Sequence, residues 1–160
     1  MLLLNLYDRI EIDCIQKYLE RKGEVMELQS LMLALLVWIG AHSDLGITNI
    51  QLPTVEFVSP SMVQKISGLK GDIAAVYDEV AGKMYFKNSF DPKNVIDQGY
   101  LMHELFHHIQ FANQVWYRNC TAEYEREAYR LTNLWFVEHE LPETYSAANI
   151  ILWGICPEKD

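Results

Sequence analysis

The sequence predicts an α+β fold, with helices packed on a small sheet of about three strands, and three observations carry that expectation. Residues 6–20 keep a helical hydrophobic period and 25–40 read as a second helical run, the chain then changes to short β-type runs between 53 and 87, and two further helical runs, 95–115 and 121–140, follow in succession. With 160 residues, 50% of them hydrophobic and 22% charged, the chain is expected to form one soluble domain over 1–160, with residues 1–50 as its helical N-terminal part.

In the first run, LYDRIEIDCIQKYLE, apolar side chains at 6, 7, 10, 14, 15, 18 and 19 lie near one face of a helix. After KGE, the run to residue 40 is apolar on most sides, which predicts a helix near the centre of the core. PTVEFVSP (53–60) reads as a short strand bounded by prolines. SMVQKISG starts with Ser61 and Gln64 at capping-box spacing and stops at Gly68. Two β-type runs, 73–77 and 83–87, flank DEVAG and predict a hairpin or a closely related pair. With so few strands, at least one sheet edge stays open. Asp91 and Pro92 interrupt the chain, Asn94 with Asp97 opens the helix at 95–115, and Gly99 permits close packing near its start. Beyond the connection YRNC, Thr121 caps the run 121–140 and Pro142 terminates it.

Composition excludes several functions. A formal charge of −9 without a basic stripe disfavours nucleic acid as a direct partner. LMLALLVWIG, the longest apolar stretch, is too short to span a bilayer, and MLLLNLYDRI lacks the basic start and cleavage site of a signal peptide. No membrane insertion is expected; the compartment stays open between the cytoplasm and, if a leader has been removed, the periplasm or exterior. Cys120 and Cys156 would pair only in an oxidising compartment, leaving Cys14 free. There is no phosphate-binding glycine loop, serine elbow or catalytic cysteine arrangement.

The segment HELFHHIQ (103–110) carries the chemistry. His103 and His107, four residues apart, share one helix face about a turn apart, where their ring nitrogens can converge on one ion. Glu104 sits about 100° around the axis, placed to take a proton from a water and deliver it to a leaving amine. An accidental H-E-x-x-H is expected about 0.014 times in a chain of this composition. The surrounding Leu101, Leu105, Phe106, Ile109 and Phe111 predict a largely buried helix, where unpaired ionisable groups are costly.

A catalytic zinc takes three protein ligands and leaves one position for water. A longer motif would put a third histidine six residues after His107, but Asn113 stands there. Glu123, Glu125 and Glu127 on the following helix are the better source. Glu123 and Glu127 share a face and Glu125 points nearly the other way, so spacing alone leaves the choice open; His139 is a further candidate.

HELFHHIQ followed by EREAYR resembles the gluzincin-type zincin metallopeptidases, including compact bacterial single-domain H-E-x-x-H proteins, over roughly residues 83–138. The resemblance implies a zincin-like fold with an active-site helix followed by a ligand-bearing helix. It also implies a Zn²⁺ ion on His103, His107 and Glu125, with Glu104 as the catalytic base and acid and a peptide or protein as substrate. In the family's E-x-x-A-D pattern Glu125 matches the ligand and Ala128 the small residue, with Glu127 the main competitor. Tyr129 stands where an acidic residue usually supports a ligand histidine, leaving Glu127, His108 or a backbone carbonyl to substitute. The resemblance also gives the strand 83–87 the task of holding an extended peptide along its edge. For the oxyanion donor the candidates are Tyr117, Tyr124, Tyr129 and Tyr145. The competing expectation is a non-catalytic, zinc-stabilised domain that binds a protein partner, with four protein ligands and no open position.

Overall fold

The computed structural model describes residues 27–115 and 121–153. The helix expected at 6–20, the three cysteines and Tyr117 lie outside the described residues.

Helix α1 is helical from residue 27 to 42. It buries one stripe, Met32, Leu35, Leu36 and Ile39, while Leu33 (53%) and Val37 (65%) are exposed. It therefore flanks the core and does not sit at its centre, which corrects the expectation drawn from its all-round apolar composition. Strand β1 (Thr54–Val58) follows, then helix α2 (Pro60–Ser67). The α2 cap is Ser59, not Ser61: its side chain accepts from the Met62 N–H, and Pro60 occupies the first helical turn, where its fixed φ costs nothing. Ser61 is left to hydrogen-bond the Ser59 hydroxyl at 3.0 Å. Gly68, at φ 68°, ends the helix as expected.

Strands β2 (Ala75–Asp78) and β3 (Lys83–Lys87) form the expected antiparallel hairpin. Asp78 stabilises its turn by accepting from the N–H groups of Val80 and Ala81, both at 3.0 Å. The sheet order is β1-β3-β2, because β1 pairs in parallel with β3. That places β3 in the middle with both edges paired. The expectation that 83–87 offers a free edge is overturned; the free edge beside the following helix belongs to β2.

Helix α3 (Val95–Ala112) starts at Asn94, whose side chain accepts from the N–H groups of Ile96 and Asp97. Leu101, Met102, Leu105, Phe106 and Ile109 are all within 1% of full burial and pack against Tyr77, Met84 and Phe86 of the sheet. Helix α4 (Thr121–Glu138) packs on α3 through Ala128, Leu131, Trp135 and Phe136. Gly99 makes the approach possible: a Cβ there would lie 2.4 Å from the Phe136 ring. Helix α4 ends before Pro142, with Glu140 at φ 60° and the N–H groups of Glu140 and Leu141 reaching back to Val137 and Phe136. A short helix, α5 (Ala147–Trp153), was not expected from the sequence. No helix among the described residues is long and apolar enough to cross a membrane.

Candidate metal centre

Two interleaved pairs on α3 organise the site. His103 and His107 face α4, whereas Glu104 and His108, one position further round, face β2. Helix α4 returns against α3 with Tyr124, Ala128, Leu131 and Trp135 as its buried stripe. The next row round the helix, Glu125, Tyr129 and Thr132, is thereby set against the histidines. Glu127 is turned out to Arg130, with contacts of 2.7 and 3.0 Å. His139 bonds the Trp135 carbonyl at 2.7 Å and lies against that indole. The structure thus groups Glu125, and neither Glu127 nor His139, with the two imidazoles. Glu125 and Glu127 flank the apolar stripe of α4 on opposite sides, so the stripe alone excludes neither, and the packing of α4 on α3 makes the choice. Asn113, past the end of α3, bonds both backbone groups of Gly46.

The cluster is tight. The two Nε2 atoms are 3.1 Å apart, and Glu125 places one carboxylate oxygen 3.4 Å from His103 Nε2 and the other 3.5 Å from His107 Nε2. Bonds of about 2.0–2.1 Å to a tetrahedral zinc give ligand–ligand separations of ~3.3 Å, so these spacings match.

Hydrogen-bond polarity then decides what the nitrogens present. Thr132 spends its only hydrogen on the Ala128 carbonyl at 2.8 Å, so it must accept from His103 Nδ1–H at 3.1 Å. Gln110 turns its amide N–H to the Tyr124 carbonyl at 3.2 Å, so its oxygen must accept from His107 Nδ1–H at 2.8 Å. Two backbone carbonyls therefore fix both neutral tautomers with the Nε2 lone pairs aimed at each other and at a carboxylate. The Glu125 Oε2 atom is itself buried without a well-formed hydrogen bond. Acceptors converging on acceptors require a cation or a proton between them, and two nitrogens with one carboxylate suit Zn²⁺. The partners expected to support the histidines, Glu127 and His108, are replaced by Thr132 and Gln110. Both were visible at helical spacing, Gln110 three residues beyond His107 and Thr132 seven beyond Glu125.

Without a metal, the proton takes that place. Burial lowers the His107 imidazole, but the carboxylates of Glu125 and Glu104 outweigh it and raise it to about 9. Burial raises Glu125, yet the two imidazoles hold its carboxyl well below the usual carboxylate range. Glu104, one position further round the helix and buried beside the same cavity, is raised by desolvation, with the histidines opposing.

The cluster floors a cavity of about 320 Å³ bounded by residues 73–77 on one side and by α4 and Tyr145 on the other. Since Lys87 donates to the Ala74 carbonyl, alternate residues of β2 face β3, and the main-chain groups of Ala75 and Tyr77 point along the free edge. Tyr129 lies over His103, with ring centres 4.8 Å apart, and its hydroxyl is within reach of Glu125. Tyr145 lies 4.4 Å from Tyr129. The buried Asn133 positions Tyr145, accepting from the N–H groups of Thr144 and Tyr145 and donating to the Tyr145 carbonyl at 2.6 Å. Burial, with Tyr100, Glu104 and Glu125 nearby, pushes the Tyr145 hydroxyl up to about 12.

The His103, Glu104, His107 and Glu125 arrangement matches the gluzincin-type H-E-x-x-H plus downstream glutamate. Residues 24–160 match the family model described as "Domain of unknown function (DUF6647)". No curated protein and no solved structure matches the chain.

Proposed function

We propose that this chain, which belongs to the family DUF6647, is a zinc-dependent metallopeptidase in which His103, His107 and Glu125 hold the ion and Glu104 moves the proton. The observation that carries this reading is the polarity of the cluster: both Nδ1–H groups are committed elsewhere, and the remaining lone pairs converge on one point with a carboxylate. Held by His103, His107 and Glu125, Zn²⁺ would supply Lewis acidity toward a peptide carbonyl and lower the pKa of water toward neutrality.

The chain's own residues supply the rest. Glu104, raised by burial and one helix face from the imidazoles, takes the proton of the attacking water and passes it to the leaving amine. Tyr145 keeps its proton far above neutral pH and donates to the carbonyl oxygen as charge develops there. The main-chain groups of Ala75 and the carbonyl of Tyr77, on the free edge of β2, pair with the backbone of an extended peptide or protein segment. The free edge of β2 thereby takes the task that the gluzincin resemblance implies for 83–87.

The competing reading, a zinc-stabilised domain that only binds a partner, needs a fourth protein ligand. The orientation of His139 toward Trp135 counts against it. Glu104→Gln separates the two readings: zinc stoichiometry should be unchanged while turnover of a peptide library falls by about a thousandfold. Turnover equal to that of the parent protein would remove Glu104 from the mechanism.

A further inference from the structure

Glu104 and His108 form the second i, i+4 pair of α3, and His108 has no part in the metal cluster. Its Nε2 lies 2.8 Å from the Gln51 carbonyl, which only accepts, so Nε2 carries the hydrogen. The neutral ring then offers its Nδ1 lone pair to the Tyr77 hydroxyl at 3.0 Å. Tyr77 stands edge-on to the imidazole, with ring centres 5.4 Å apart. Its own backbone N–H lies on the free edge of β2 and acts on the Glu104 carboxylate. The side chain of one edge-strand residue is thus held by His108 on the same face of α3 that carries Glu104, while its amide faces that carboxylate.

We infer that His108 is a positioning residue: by holding the Tyr77 hydroxyl, it fixes the free edge of β2 against Glu104, so that the strand that would carry the substrate and the group that would move the proton keep one relative placement. A strand paired on only one side has no ladder to hold its outer edge, and shifts of about an ångström between a substrate and a catalytic group are costly. This inference rests on the peptidase reading for its consequence, but the brace exists in the metal-free protein and can be tested there.

Two near-isosteres divide the grip. In His108→Asn the amide oxygen stands where Nδ1 stood and still accepts from Tyr77. In His108→Gln the amide nitrogen stands where Nε2 stood and serves only Gln51. On the zinc-free full-length chain, amide exchange at Tyr77 should speed up by about tenfold in His108→Gln and in Tyr77→Phe, and His108→Asn should restore protection. On the zinc-loaded chain, kcat/KM for peptides should follow the same order with zinc content unchanged. Tyr77→Phe combined with His108→Gln should be no worse than either alone. Equal exchange in His108→Asn and His108→Gln, or losses that multiply in the double variant, would overturn the brace. If the exchange pattern appears but the parent protein hydrolyses no peptide, the brace stands and the peptidase assignment fails.

Discussion

Among the described residues, two places gather histidines and a glutamate, and only one of them brings three ligand atoms together. Where α1 meets the end of α4, His42 stacks on Trp38 and His139 on Trp135, and Glu138 lies 3.3 Å from His42. There each histidine turns Nδ1 back to the carbonyl four residues earlier on its own chain, at 2.8 and 2.7 Å. Glu138 also accepts from the Trp38 indole at 2.8 Å. At the α3–α4 site the Nδ1 atoms instead bond side chains, Thr132 and Gln110, whose polarity is set by backbone carbonyls. Residue type and Nδ1 polarity are similar in the two places; what differs is that at the α3–α4 site two imidazole Nε2 atoms and a carboxylate converge on one point, whereas Glu138 meets a single imidazole nitrogen.

The largest expected effect breaks this comparison directly. Glu125→Ala removes one of three ligands and should weaken zinc binding by two to three orders of magnitude, about a quarter of a site energy of about 10–16 kcal/mol. Glu138→Ala should leave it unchanged. Competition with a chelating dye measures both. Equal losses would mean that the ion sits elsewhere.

Proton competition comes next. His107, raised to about 9 in the metal-free protein, holds a proton that the ion must displace. Zinc affinity should therefore rise with pH, by about tenfold per unit between pH 6 and 8, and level off above about 9. The same proton stabilises the metal-free fold: the contribution is complete below the ordinary histidine pKa and disappears as pH climbs through about 9. Calorimetry at several pH values gives the slope, and a flat profile would contradict the carboxylate environment assigned to His107.

Much of this was legible in the residues. H-E-x-x-H at helical spacing located α3 and its paired imidazoles, because ligand convergence there is local geometry. Choosing Glu125 needed tertiary information, because the stripe of Tyr124, Ala128, Leu131 and Trp135 that faces the core is flanked by Glu125 on one side and Glu127 on the other. Sheet order was not legible. The residues of β1 and β3 are each compatible with an edge, and only the parallel pairing of Thr54–Val58 with Lys83–Lys87 puts β3 in the middle. Helix α1 misled for the opposite reason: uniform apolarity gives no face, and the fold uses only one. The hold of Asn133 on Tyr145 spans a loop and has no periodic signature.

The smallest expected effect sharpens the comparison most. Thr132→Val keeps the shape of the side chain and removes the acceptor for His103 Nδ1–H. The neutral imidazole is then free to carry its hydrogen on either nitrogen, and in one tautomer Nε2–H points into the cluster, where it blocks the ion. Zinc affinity should fall by about tenfold, within the range for losing a partner of a ligand histidine. Thr132→Ser, which keeps the hydroxyl that donates to Ala128, should recover most of the loss. If valine and serine behave alike, packing and not tautomer control is what Thr132 contributes, and the convergence of three ligands, not the tautomer of each, would govern metal binding.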